Sequence, residues 1–158
     1  LGTRDQAIDW LNVFDNLIIT RTFSKAYGLA GLRVGYCVSK PNIADYINRV
    51  RAPFNVNHSA QIAAIAALND VDYLQKSVRS NKEGLKQLEK SFKSLNLSYI
   101  KSSANFIAVE FENALETYEK LLKEGVIVRP IEIPNFLRIT VGTAEENVYL
   151  IKALKKIL

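Results

Sequence analysis

The distribution of apolar and polar positions divides the chain into segments with different periods. Residues 1–16 are mixed and polar, with Trp10, Leu11 and Phe14 as apolar anchors, and the spacing allows a short helix. "NLIITRTF" (16–23) and "LRVGYCVS" (32–39) are near-continuous apolar runs rich in β-branched residues. Runs of that kind predict strands covered on both faces by helices. Pro41 then opens a helix whose apolar stripe is Ile43, Tyr46, Ile47 and Val50, and Pro53 interrupts the pattern beyond it. "SAQIAAIAALN" (59–69) is small and apolar nearly all round, which predicts a helix buried under a sheet.

The longest periodic pattern starts at Asp70, a candidate N-cap. Val71, Leu74, Val78, Leu85, Leu88, Phe92 and Leu95 follow in steps of three and four, and Asn81 occupies the one slot left polar. A helix over 70–94 would be about 37 Å long at roughly 1.5 Å per residue, long for one small domain. It is expected to span two lobes and pack one face on each; the alternative is a coiled coil, for which a repeat of barely three heptads is short. Strand patterns follow in "YIKSSANFIAVEF" (99–111), "VIVRPI" (126–131) and "FLRITVG" (136–142). Between them "ALETYEKLLKEG" (114–125) predicts a helix with Leu115, Tyr118, Leu121 and Leu122 inward and Gly125 at its end. Thr143 and Glu146 form a T-x-x-E capping signature for a closing helix with lysines near its C-terminus.

Composition narrows the classes. At 158 residues and 48% hydrophobic, the chain supports a sizeable core in one domain or two small ones. The formal charge of +5 is spread along the sequence: seven Lys and Arg against five Asp and Glu up to residue 70, fourteen against eleven after it. No basic block interleaved with aromatics points to nucleic acid. Cys37 is the single cysteine, so it forms no intramolecular disulfide, and in its apolar context it reads as a small buried residue. One Cys and one His do not make an ordinary structural zinc site. No apolar run approaches the roughly 18 residues of a membrane helix, no secretory signal is visible, and a cytoplasmic location is expected. A chain with no methionine at position 1 is expected to be processed, truncated or excised.

Candidate chemistry concentrates in "ITRTFSKAYGLAGLRVGY" (19–36). Lys25 follows a strand at its C-terminal end, where open α/β sheets bind ligands. Alone it reads as a solvated loop lysine, but its neighbours change that reading. Thr22 and Ser24 supply hydroxyls, and Arg33 lies within the second apolar run. A buried guanidinium needs an anion, and a phosphate suits its planar fork; the alternative is an ordinary salt bridge. Gly28 and Gly31 let the chain double back between Lys25 and Arg33. An amine nucleophile beside a phosphate cradle describes a pyridoxal 5'-phosphate site. In "FLRITV" the alternation puts Arg138 on the face opposite Leu137 and Ile139, where by itself it reads as an edge-strand surface charge.

The segment "TRTFSKAYGLAGLRVGY" resembles the Schiff-base segment of fold-type I pyridoxal-phosphate aminotransferases of classes I and II, most closely histidinol-phosphate aminotransferases. The likeness continues through "SANFIAVEF", "GVIVRP" and "FLRITVGTAEEN" in the family's order. It implies an α/β fold: the C-terminal part of a large cofactor-binding domain (1–69), a long linking helix (70–96) and a small C-terminal α+β domain (97–158). By the resemblance Lys25 is the Schiff-base lysine and proton shuttle at the substrate's Cα, and Thr22, Ser24 and Arg33 hold the cofactor phosphate. Arg138 grips the substrate's carboxylate or phosphate, and Arg129 helps hold the same anionic end. Asn105 matches a family position, though ordering of nearby backbone explains it equally. Tyr27 packs near the cofactor or in the core, and His58 and Trp10 read as helix-cap and core residues.

The implied reaction exchanges an amino group between glutamate and imidazole-acetol phosphate. The implied partners are a small amino-acid or amino-alcohol phosphate and, in the full-length protein, a second subunit; neither nucleic acid nor membrane is expected. An aromatic aminotransferase, a threonine-phosphate decarboxylase-like enzyme and a non-catalytic fragment acting by association are the alternatives. Family members extend further on the N-terminal side. That half supplies the aspartate on the pyridine nitrogen, the aromatic ring stacked on the cofactor, and the Asn and Tyr on its 3-oxygen. These 158 residues are therefore expected to be incomplete, inactive alone, and to carry uncovered strand edges and apolar faces. The short glycine-free link near Ile131–Phe136 departs from relatives that carry a glycine-bearing loop there.

Overall fold

The computed structural model describes residues 6–158, so the first five positions of the 1–16 stretch lie outside the described residues. The chain divides into two compact units, Leu1–Val78 and Arg79–Leu158.

In the first unit, α1 (Gln6–Trp10) precedes β1 (Ile18–Thr22) and β2 (Gly35–Ser39), which pair antiparallel with Thr22 opposite Gly35. Helices α2 (Pro41–Val50) and α3 (His58–Asn69) follow. The Asn57 side chain caps α3 by accepting from the Ala60 N–H, and His58 is the helix's first residue. The core of this unit is Phe23 and Val34 from the β1–β2 connection packed on Ala60 and Ala64 of α3, with Tyr27, Leu29, Leu32 and Val56 around them. Two alanines four apart leave a shallow helix surface, so the connection lies close against it.

The burial predicted from the apolar runs is not seen here, whereas the uncovered apolar faces expected of an incomplete chain are. Only Ile19 of β1 is buried, and Ile18 and Tyr36 are half exposed, so the strands are not covered on both faces. In α3 Ile62, Ile65 and Leu68 are exposed and only Ala60 and Ala64 are buried. Cys37 and Trp10 are exposed instead of buried. The second strand begins at Gly35, not Leu32. A short 3-10 turn occupies Ala30–Leu32, and Arg33 takes a left-handed backbone (φ 53°, ψ 48°) that ends extended geometry there.

Helix α4 (Val71–Ser94) starts at its expected cap: the Asp70 carboxylate accepts from the Tyr73 N–H at 3.0 Å. In the second unit its Leu85, Leu88 and Phe92 enter the core. A four-stranded antiparallel sheet follows in the order β3-β4-β6-β5. Its strands are β3 (Tyr99–Ile100), β4 (Phe106–Glu110), β5 (Arg129–Pro130) and β6 (Phe136–Thr140). The helices α5 (Ala114–Lys123) and α6 (Ala144–Ile157) complete the unit. Ile107, Val109, Leu137 and Ile139 form the apolar face of the sheet and pack with Leu121, Leu150 and Leu154. The predicted face of α5 is rotated. Ala114, Thr117, Tyr118 and Leu121, at i, i+3, i+4 and i+7, point inward, while Leu115 and Leu122 are exposed. Gly125 does end this helix, with a φ of 76° that only glycine adopts freely, and the Val126 N–H returns to the Leu121 carbonyl. The capping box on α6 forms in both directions, Glu146 N–H to Thr143 Oγ1 and Thr143 N–H to the Glu146 carboxylate.

Gly84, buried in the middle of α4, is a packing requirement. A Cβ there would collide with Val141 Cγ1 and stand 3.1 Å from Asn147 Nδ2. Ala would favour the helix by up to about 1 kcal/mol, but overpacking in a tight core costs about 1–3 kcal/mol. Gly84→Ala is therefore expected to lower stability in urea unfolding, and an unchanged or raised midpoint would contradict this packing.

Candidate active site

The first group of sequence-predicted residues sits on the β1–β2 connection. Thr22 ends β1, Ser24 and Lys25 follow in the loop, and Arg33 immediately precedes the last turn into β2. Antiparallel pairing of the two strands places both ends of this loop side by side. Inside it the Phe23 N–H reaches the Val34 carbonyl at 3.2 Å, the Leu29 N–H reaches the Phe23 carbonyl at 3.0 Å, and the Gly28 N–H reaches the Lys25 carbonyl at 2.9 Å. Thr22 Oγ1 accepts from the Ser24 N–H at 3.0 Å, which turns the chain just before the lysine. The rings of Phe23 and Tyr27 contact at 4.9 Å between centroids, so Tyr27 belongs to the local core.

Gly28 is required twice over. Its φ is 73°, and a Cβ would stand 2.9 Å from the Tyr73 hydroxyl. Tyr73, in the first turn of α4, thus packs directly on the lysine loop; the sequence pattern gave no sign of this contact, since Tyr73 stands outside the apolar stripe. Lys25 is exposed. Arg33 donates to the Ala30 carbonyl at 2.8 Å, and no carboxylate pairs with it among the described residues. Among the described residues the salt-bridge alternative for Arg33 is therefore not formed, and the expectation that it is buried within a strand is corrected: it is exposed, in a turn. The donor set gathered on this one loop is a primary amine, two hydroxyls and a guanidinium with spare N–H groups. That set fits an aldehyde-bearing phosphate monoester, the chemical form of pyridoxal phosphate.

The second group sits on the sheet of the second unit. Arg138 lies on β6 opposite Ala108 of β4 on one side and opposite Arg129 of β5 on the other. The alternation along β6 puts Leu137 and Ile139 in the core and Arg138 on the other face. Its guanidinium carbon lies 5.1 Å from the Phe106 ring centroid, a cation–π contact from the neighbouring strand. Its Nε is shielded from solvent and has no hydrogen-bond partner among the described residues. Neither arginine pairs with a carboxylate among the described residues. Like charges directly opposite on a sheet are unfavourable, and so is a buried unpaired donor. Both conditions are relieved together by an anion. Asn105 contributes its backbone carbonyl, which accepts from the Val141 N–H at 2.9 Å.

The family model for aminotransferases of class I and II matches residues 2–154. The histidinol-phosphate aminotransferase of Methylobacillus flagellatus is 49% identical over 158 residues, covering 98% of this chain and 43% of that protein. Histidinol-phosphate aminotransferase 2 of Pseudomonas fluorescens is 54% identical over 155 residues, covering 96% and 42%. Among solved structures, histidinol-phosphate aminotransferase from Sinorhizobium meliloti in complex with pyridoxal-5'-phosphate superposes with a TM-score of 0.81 at 31% identity, over 90% of this chain and 41% of that one. The enzyme from Clostridium acetobutylicum gives 0.88 at 26% identity, over 95% and 48%. The chain thus spans less than half the length of the relatives it matches. A family model that matches almost every residue places the chain plainly: it belongs to the class I and II aminotransferase family.

Proposed function

We propose that the protein carrying this chain is a pyridoxal-phosphate-dependent transaminase of histidine biosynthesis, moving the amino group of histidinol phosphate to 2-oxoglutarate. The observation that carries the reading is the Arg129–Arg138 pair, opposed across β5 and β6 with a buried, unpartnered Nε. Two guanidiniums on one face suit a doubly charged phosphate better than a single carboxylate. The identity of about half of all positions to histidinol-phosphate aminotransferases supports the same substrate.

In this reading Thr22, Ser24 and Arg33 hold the cofactor phosphate, with Arg33 fixed by its bond to Ala30. The bound cofactor supplies an aldehyde for amine exchange and an electron sink for breaking the substrate's Cα–H bond. Lys25 provides the amine that anchors the cofactor, then takes and returns the proton at Cα. Its flexible stem allows both tasks, and the short turns around it fix only the backbone. Arg138, with Arg129, grips the substrate's anionic end. The protein is read as a cytoplasmic homodimer. The exposed Ile62, Ile65 and Leu68 of α3 support further protein packing on the first unit. Since the chain spans about 43% of its relatives, these 158 residues alone are expected to give no turnover.

The cofactor assignment is tested by borohydride trapping. The intact protein, loaded with pyridoxal phosphate and reduced, should carry the pyridoxyl mass on the peptide containing Lys25. A label confined to other lysines would overturn the assignment.

A further inference from the structure

Asn81 is the polar residue in the otherwise apolar stripe of α4, between Val78 and Leu85. A leucine there would complete the stripe, and an amide placed beside apolar neighbours is costly unless bonded. The structure shows what the amide does. Its Nδ2 donates to the Ala104 carbonyl at 3.0 Å, twenty-three residues away in the loop that leads into β4. Ala104 is held from its other side as well, its N–H donating to Ser102 Oγ at 3.0 Å. The next residue, Asn105, accepts from the Val141 N–H at the exit of β6, and Phe106 begins β4 opposite Thr140. Phe106 is also the ring beneath the Arg138 guanidinium.

Six residues further along α4, Gln87 ties down the exit of β6. Asn147 is 1% exposed; its Oδ1 accepts from the Gly142 N–H at 3.0 Å, and its Nδ2 donates to Gln87 Oε1 at 3.1 Å. Gln87 also donates to the Ala144 carbonyl at 3.3 Å. Asn81, Gly84 and Gln87 therefore form a line three residues apart. It fixes the start of the strand that carries Phe106 and the end of the strand that carries Arg138.

We propose that Asn81 is a positioning residue of the anion-gripping face: through Ala104 its amide sets Phe106 under Arg138 and so fixes the direction of the guanidinium. The inference rests on the reading of Arg138 as the anion-holding residue. A guanidinium tilted or shifted out of line weakens the two parallel bonds of bidentate recognition, whose geometry is specific. The stripe itself is indifferent to this loss, because a leucine at position 81 packs at least as well as an amide.

The test uses the intact protein saturated with pyridoxal phosphate. Calorimetry with inorganic phosphate measures the part of binding that Arg138→Met abolishes. Asn81→Leu and the near-isosteric Asn81→Asp, which lacks the donor, are expected to weaken that binding about tenfold. KM for histidinol phosphate should rise by a similar factor while kcat stays within about twofold. Asn81→Gln, which keeps an amide donor, should recover most of the affinity. The unfolding midpoint of Asn81→Leu should not fall. Combined with Phe106→Leu, Asn81→Leu should add little further loss, because both act on one guanidinium. Unchanged phosphate affinity in Asn81→Leu, or full additivity with Phe106→Leu, would overturn the proposal. The phosphate measurement needs no turnover, so it remains decisive if histidinol phosphate proves not to be the substrate. Loss of phosphate binding in no variant, Arg138→Met included, would overturn both this inference and the reading of Arg138.

Discussion

Lys25→Ala is expected to lower the transaminase turnover of the intact protein roughly a thousandfold or more, the scale of losing a positioned acid–base group. The same variant loses the visible absorbance band that bound pyridoxal phosphate gives. The reasons are local to the loop. The amine is the one lysine on the β1–β2 connection, and the hydrogen bonds that shape this loop use backbone groups and Thr22 Oγ1 rather than the Lys25 side chain. Removing an exposed side chain leaves those bonds and the Phe23–Val34–Ala60–Ala64 cluster intact. Stability should therefore change by less than about 0.5 kcal/mol, as for surface substitutions away from special features. Spectroscopy and urea unfolding on the same preparation separate the two effects. Retained turnover within tenfold of the parent would remove Lys25 from the chemistry.

Arg138→Met gives the second large effect, and it separates function from stability in the opposite direction. Two charge-assisted hydrogen bonds to a phosphate are worth about 1.5–3 kcal/mol each. Losing them should cut kcat/KM for histidinol phosphate by a few hundredfold or more, at about 1.4 kcal/mol per tenfold. The fold, by contrast, is relieved. A buried donor without a partner costs about 1–3 kcal/mol, and the opposed Arg129 adds repulsion. The cation–π contact with Phe106 returns about 0.5–2 kcal/mol of this. The unfolding midpoint of Arg138→Met should therefore hold or rise. A large drop in the midpoint with KM unchanged would make Arg138 a structural residue. Arg138→Lys should fall between, since it keeps the charge and loses the planar fork.

The sequence pattern carried these elements unequally. Helix α4 was legible because its repeat is long and its cap local: Asp70 bonds the Tyr73 N–H, three residues on. The α6 capping box was legible for the same reason. The alternation in β6 correctly separated Arg138 from Leu137 and Ile139 because strand period is a local property. Covering layers are not local. The apolar runs of β1, β2 and α3 predict burial, yet Ile18, Tyr36, Cys37, Ile62 and Ile65 are exposed, since periodicity reports a face and not what packs on it. In α5 the helix and its Tyr118 and Leu121 contacts were right, but the inward face is rotated: Thr117 goes inward while Leu115 and Leu122 stay outside, because hydrophobicity alone misplaced the phase.

The candidate site was legible where chemistry is packed into one segment, as with Thr22, Ser24, Lys25 and Arg33. Its finer geometry was not. Arg129 and Arg138 become neighbours only through the register of β5 on β6, set by a five-residue turn that ends with Asn135 in a left-handed conformation (φ 65°). The Phe106 ring under Arg138 depends on the pairing of β4 with β6, and the Tyr73–Gly28 contact on how α4 meets the lysine loop. Asn81 was visible only as a gap in a stripe. Its reason lies in a loop carbonyl distant in sequence.

The substrate is tested most directly by a donor screen with the intact protein, pyridoxal phosphate and 2-oxoglutarate. Glutamate formation is followed with histidinol phosphate, phenylalanine, aspartate and threonine phosphate as alternative amino donors. Histidinol phosphate should give the highest kcat/KM, by about tenfold or more over the unphosphorylated donors, with that preference lost in Arg138→Met. Glutamate formation from phenylalanine or aspartate without any from histidinol phosphate would contradict this substrate assignment.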